Sequence, residues 1–276
     1  MKKILVPVDF SEYSAHALEV AATLARTNKA EIIVLHMMGL SQAVLTKDDS
    51  QEFAEAQYYM RLAKKRFETF LDKDYLKGIR VKEIVQNYKI FTEINIVAQE
   101  QGIDLIVMGS HGISGIKDVF VGSNTEKVVR TSDIPVLVIK EQMSNFKINK
   151  MVLAWHFKDE NVTTYRKAKQ VADNFGSELH LVYINVPAYG FLSTREAEEK
   201  ISQFMNNTGI RKEVAIYNDY GVEKGILDYA EKINADAIAV PTHGRRGLAH
   251  FLVGSIGEDI ANHSKKPVVT FKIYSK

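Results

Sequence analysis

One phrase occurs twice in this chain: Gly109-Ser-His-Gly112, nine residues, then Gly122-Ser123, and later Pro241-Thr-His-Gly244, nine residues, then Gly254-Ser255. The copies stand 132 positions apart, and from Asp104–Lys140 to Asp236–Lys272 the register runs without a gap, with 13 of 37 positions identical. Nearer the front of each half the offset is 147, as Lys3-Ile-Leu-Val matches Lys150-Met-Val-Leu and Glu31 matches Glu178, so the later copy has lost 147 − 132 = 15 residues after its second strand. A period this long duplicates a whole domain, since solenoid repeats run to roughly 20 to 50 residues. The length of 276 residues agrees with two domains, expected at 1–142 and 147–276 with a short polar linker around Glu141 to Asn149.

Each half alternates short apolar runs with helical spacing. In the first half, strands are expected at Ile4 to Val8, Glu31 to Met37, Val81 to Val85, Leu105 to Met108 and Val136 to Ile139. Helices are expected at Ser11 to Thr27, Asp48 to Leu76, Thr92 to Gln101 and Ser123 to Ser132. The second half repeats this with strands near Met151, Leu179, Glu213, Ala237 and Val268. Unalternating Val/Ile/Leu strands between helices predict an α/β fold: two tandem open five-stranded parallel sheets flanked by helices.

Composition narrows the function classes. Thirty-six basic against 34 acidic residues leave a net charge of +2, which argues against nucleic acid or an anionic membrane as partner. The chain has no cysteine, which excludes disulfides, thiolate metal sites and a cysteine nucleophile. The first residues, Met1-Lys-Lys-Ile-Leu-Val-Pro-Val-Asp9, are too short an apolar run for a signal segment, and no stretch reaches the length of a membrane span. Cytoplasm is the expected compartment.

Ligands of open α/β sheets bind beyond the carboxyl ends of the strands, where the strand order reverses. Two strands end unusually here, in Pro7-Val8-Asp9 and in Met108-Gly109-Ser110. Glycines at 109 and 112 let the backbone approach a ligand, and Gly122-Ser123 opens a helix whose free N–H groups and dipole favour a phosphate. Asp9 offers an acceptor to a ribose or a base. A bland alternative stays open: Ser123-x-x-Glu126 and Ser255-x-x-Glu258 both fit a helix capping box, and Gly115 and Gly247 fit ordinary turns. His111 and His243 have no second ligand at metal spacing and fit loop histidines, and Tyr58, Tyr59, Phe67 and Phe70 fit a helix packing face. Spacing alone does not choose between a nucleotide pocket and structural turns.

The string Val107-Met-Gly-Ser-His-Gly112, nine residues, Gly122-Ser123 resembles the G-x2-G-x9-G-(S/T) signature of the universal stress protein family. The opening Ile4-Leu-Val-Pro-Val-Asp9-Phe-Ser and the closing Ile134-Pro-Val-Leu-Val-Ile139 are similar to that family as well, and the likeness extends to both halves. The resemblance implies an adenine nucleotide alpha hydrolase-like sheet that binds ATP or a related nucleotide, AMP or ADP, with magnesium a possible companion. It implies that Pro7, Val8 and Asp9 face the adenosine, that Val34 contacts the base, and that Gly109, Gly112, Gly122, Ser123 and Asn124 hold ribose and phosphates, with Met108 and His111 lining the same turn. A tandem chain resembles the family dimer made covalent, an intramolecular pseudo-dimer, with a further homodimer of the whole chain an open question.

The second half departs from the pattern. Ala154 replaces Pro7, His156 replaces Asp9 and Pro241 replaces Gly109, which removes a fixed acceptor and an N–H. Gly244, Gly254 and Ser255 remain as a remnant phosphate loop, with Arg245 and Arg246 read as solvated loop residues, and Trp155 is expected to fill space near the altered pocket. The function expected is a nucleotide-binding regulator of a stress response that passes its bound state to an unidentified protein partner. The alternatives are slow ATP hydrolysis or a nucleotide-free adaptor. Hydrolysis finds little support, because no G-x4-G-K-(S/T) supplies a phosphate lysine, no catalytic residue is assigned and Lys117 and Asp118 fit a solvated loop pair. A dinucleotide-binding dehydrogenase is disfavoured, since Pro7-Val-Asp9 and not G-x-G-x-x-G follows the first strand.

Overall fold

Asp104 and Asp236 occupy the same place in the two repeats and do the same work. In a computed structural model of the chain, which describes residues 1–38, 49–87, 90–111, 122–155, 162–187, 191–242 and 259–273, the Asp104 carboxylate accepts hydrogen bonds from the amides of Lys2 and Lys3, the latter at 3.0 Å. Asp236 accepts from the amides of Asn149 and Lys150 at 2.7 and 2.9 Å. Each aspartate therefore ties the entry of its unit's first strand to the entry of the fourth, which leads to two units, Met1–Phe146 and Lys147–Lys276.

Unit 1 runs β1 (Lys3–Val8), α1 (Glu12–Asn28), β2 (Glu31–Met38), α2 (Asp49–Leu71), β3 (Val81–Asn87), α3 (Ile90–Glu100), β4 (Leu105–Gly109), α4 (Ser123–Thr131) and β5 (Val136–Ile139). All pairings are parallel, in the spatial order β3-β2-β1-β4-β5. The chain winds outward from β1 to β3, then returns to the other side of β1 for β4, so the order reverses between β1 and β4. The elements fall where apolar patterning placed them, except that the long second helix stops at Leu71. A separate 3₁₀ turn, Asp74–Leu76, follows, because Leu76 is buried and Arg26 of α1 donates to the Tyr75 carbonyl at 2.9 Å, which turns the chain away from the helix axis.

Alternation along the strands sorts the core into two faces. Leu5, Ile33, Leu35, Ile106, Met108, Val136 and Val138 pack with Ile94, Val97 and Ala98 of α3 and with Val128 and Val129 of α4. Their strand neighbours Ile4, Val6, Val8, Ile32 and Val34 turn to the opposite face, where the buried alanines and leucines of α1 lie, Ala17, Leu18, Ala21 and Leu24 among them. Burying each such aliphatic side chain contributes about 1.5 to 3 kcal/mol.

Unit 2 repeats the plan with β6 (Lys150–Ala154), α5 (Val162–Phe175), β7 (Glu178–Asn185), α6 (Thr194–Thr208), β8 (Val214–Asn218), α7 (Val222–Lys232), β9 (Ala237–Thr242) and β10 (Val268–Lys272). Its strands are also parallel, in the order β8-β7-β6-β9-β10. Ser132 and Ser264, another repeated pair, make the same buried turn: each hydroxyl donates to the carbonyl two residues on, at 2.8 and 2.9 Å, and accepts from an amide at 3.1 and 3.0 Å. No helix among the described residues is long and apolar enough to cross a membrane.

Candidate functional site

The strand order reverses between β1 and β4, which puts the candidate crevice beyond their carboxyl ends. Asp9 follows β1 and Ser110-His111 follow β4, so the two sequences singled out above flank it.

At the β1 end, Asp9 is half-buried, and its Oδ1 accepts the Ser11 amide at 3.0 Å. Ser11 is the N-cap of α1, its hydroxyl accepting the Ser14 amide at 3.2 Å. Between them Phe10 adopts φ 65°, a left-handed conformation that bulky residues rarely take and that costs about 1 to 3 kcal/mol. Pro7 and Val8 close the strand beside Leu35 and His36. His36 Nδ1 lies 2.9 Å from the Val8 carbonyl; burial pushes the imidazole below its ordinary value, against the opposing pull of that carbonyl.

At the β4 end, the turn is built from backbone. The Gly122 amide donates to the Ser110 carbonyl at 2.7 Å, and the buried Thr125 hydroxyl donates to the Gly109 carbonyl at 2.9 Å. The first turn of α4 is thereby pinned onto the strand end. The N-cap is Gly122, no side chain caps the helix, and Glu126 reaches 3.9 Å from Arg130. The capping box that Ser123 and Glu126 would fit is not formed, because the helix begins one residue too early for Ser123 to be its cap. Among the described residues no side chain accepts from the first-turn amides of α4, and Ser123 and Asn124 are exposed.

Gly109 has a packing reason. A Cβ there would meet the Tyr13 backbone carbon and oxygen at 2.7 Å, so the glycine admits the first turn of α1. The Tyr13 ring in turn covers His111, with centroids 5.1 Å apart, while the Ser110 hydroxyl lies 2.9 Å from His111 Nδ1. His111 is thus fixed on two sides at the mouth of the crevice.

Of the residues singled out from sequence, Asp9, His111, Gly122, Ser123 and Asn124 lie at this edge, with Pro7, Val8, Met108 and Gly109 as the strand ends beneath it. Val34 does not reach the edge. It pairs with Val6, two places before the Val8–His36 pair, and is fully buried, since β2 continues to Met38. His36, Met37 and Met38 are the β2 residues at the edge, and Met37 is partly buried against the α3/α4 core face that also holds Met108. The strand's length was the signal that could have found them. Gly112 lies outside the described residues, as do Gly115, Lys117, Asp118, His156, His243, Gly244, Arg245, Arg246, Gly247, Gly254 and Ser255.

Unit 2 is arranged differently at the matching edge. Trp155, in the place of Val8, is buried and stacks on Tyr165 at 5.4 Å and 5°, with Phe204 edge-on at 4.9 Å. Asn185, 3% exposed, donates to the Leu192 carbonyl and the Asn218 side chain at 2.9 and 2.8 Å and accepts the Leu192 amide at 3.2 Å. An aromatic cluster and a satisfied buried amide stand where unit 1 has the buried Val8 and Met38.

Fold and edge together define a tandem pair of doubly wound α/β domains, each reversing strand order beside its first strand. The sequence model of the universal stress protein family matches residues 1–140 and 147–272, and the chain belongs to that family. It is 33% identical over 157 residues to universal stress protein MJ0577 of Methanocaldococcus jannaschii, an alignment covering 52% of this chain and 97% of that one. Universal stress protein Slr1230 of Synechocystis matches end to end, at 22% identity over 301 residues, 99% of this chain and 100% of that protein. Among solved structures, a universal stress protein from Archaeoglobus fulgidus superposes with a TM-score of 0.64 at 24% identity, covering 98% of this chain and 96% of that one, a likeness of fold.

Proposed function

We propose that unit 1 binds one adenine nucleotide, ATP with ADP and AMP as competitors, at the β1/β4 crevice, and that the bound state regulates a protein partner in a stress response. The observation that carries this reading is the α4 N-terminus: its N-cap is a glycine that gives no side-chain cap, and two hydrogen bonds pin it to the same strand end whose neighbour presents Asp9. Fixed first-turn amides and a helix dipole favour phosphate. Asp9 supplies the acceptor for the sugar or base, with its carboxylate aimed by the Ser11 amide. Pro7, Met108 and Met37, on one face of the sheet by alternation, offer the base an apolar bed in the role first expected of Val34. Gly109 and His111 shape the turn, Gly122, Ser123 and Asn124 receive the phosphates, and Gly112 completes the loop by sequence. A magnesium ion would ride on the phosphates.

In unit 2 the Trp155 stack occupies the place of the first strand's end, and His156 and Pro241 replace the aspartate and the glycine. We assign it no adenosine site; Gly244, Gly254 and Ser255 retain at most a phosphate loop.

The test is a substitution that separates helix from ligand. Ser123→Asp adds negative charge to the first turn, which stabilises the helix by about 0.3 to 1 kcal/mol while repelling phosphate. Calorimetric titration of the intact chain with ATP should give one site in the native protein and a loss of about tenfold or more in affinity in the variant, with Tm unchanged or raised. Equal ATP affinity in both proteins would overturn the phosphate assignment.

A further inference from the structure

Phe10 is the residue whose conformation nothing above explains. Its φ of 65° is unfavourable for an aromatic side chain, and it is held there from two elements. His36 of β2 lies 4.5 Å from its ring, Phe67 and Phe70 of α2 approach edge-on at 5.2 and 5.5 Å, and the Arg66 guanidinium stands 5.7 Å from its ring centroid. Phe67 is itself fully buried and meets His36, so the grip belongs to the core and not to a loose loop.

We propose that Phe10 is a positioning residue for the adenosine half of the ligand, an inference that rests on the nucleotide reading above. A left-handed residue reverses the chain locally, and this reversal brings the Ser11 amide onto Asp9 Oδ1 at 3.0 Å. An extended residue at 10 would separate the two and break that hydrogen bond. The ring therefore fixes, through the backbone, the direction in which Asp9 accepts. The phosphate side is held by hydrogen bonds of its own, from Gly122 on Ser110 and Thr125 on Gly109, on β4 and α4, with α1 seated on Gly109 through Tyr13. Phe10 thus bears directly on the Asp9 half of the site and touches none of the hydrogen bonds of the other.

The two halves can be titrated apart. Calorimetry with ATP, adenosine and inorganic tripolyphosphate is applied to the intact native protein and to Phe10→Ala, Phe10→Val, Phe10→Asn and Phe10→Tyr. Alanine and valine lose the ring and disfavour positive φ, so one folded variant of the two suffices, while asparagine accepts positive φ without the ring and tyrosine keeps the ring. Alanine and valine should lower ATP and adenosine affinity by about tenfold or more, the scale of one misdirected hydrogen bond to a charged group, with tripolyphosphate binding unchanged and with asparagine and tyrosine keeping most of the native affinity. ATP binding that survives in the alanine or valine variant, or falls in step with tripolyphosphate binding, would overturn the role of Phe10 while leaving the nucleotide site standing. A native protein that binds no ATP would remove both.

Discussion

Gly109 illustrates how one glycine can have a packing reason that its sequence context does not show. Its sequence context suggested close approach to a ligand, but the missing side chain makes room for Tyr13, at 2.7 Å from where a Cβ would stand. Gly109→Ala should therefore destabilise the protein without any ligand, by about 1 to 3 kcal/mol, measurable as a fall in the urea midpoint. His36 gives a pH signature. Its folded-state pKa lies below the ordinary value of 6.5, chiefly through burial, so below that value the unfolded chain takes up a proton that the folded chain resists. Stability should then fall as pH drops from about 6.5, and His36→Gln should flatten that slope in denaturant titrations between pH 7 and 5. Lys140 runs the other way at high pH. Burial pushes its amine down to about 8 from 10.5, so the unfolded chain holds more protons between those values and stability gains from this group as pH rises through that window. Comparing the native protein with Lys140→Met from pH 7.5 to 10 isolates the effect.

At the scale of elements, the sheet was legible because parallel strands covered on both faces must be runs of Val, Ile and Leu, and β5, Val136–Ile139, stands where the apolar run stands. What was not legible depends on contacts between segments far apart in the chain. The end of α2 at Leu71 is decided by Leu76 and Arg26, and the seating of α4 on the end of β4 by the Gly122 amide on Ser110 and the Thr125 hydroxyl on Gly109. Helix propensity and capping patterns carry none of that. The repeat itself divides into two kinds of identity. Asp104 with Asp236 and Ser132 with Ser264 are explained by hydrogen bonds within each unit, and replacing either aspartate by alanine should cost about 1.5 to 3 kcal/mol, read as a lower Tm. Those at the strand ends, His111, Gly122 and Ser123, are the ones that the proposed nucleotide would explain in unit 1.

The whole molecule carries two copies of one plan with different fittings at the working edge. Unit 1 keeps an aspartate and a helix start with no side-chain cap there; unit 2 keeps a buried tryptophan and a buried asparagine. Binding should therefore saturate at one ATP per chain, and Asp9→Ala should weaken the whole of it, with no residual site of native affinity in the calorimetric isotherm. Trp155 is also the only tryptophan in the chain. Its emission reports on unit 2 alone, whereas far-ultraviolet dichroism averages over both units. If the two signals melt at different temperatures, the repeats fold independently; if ATP changes the tryptophan emission, news of an occupied crevice in one repeat has reached the other.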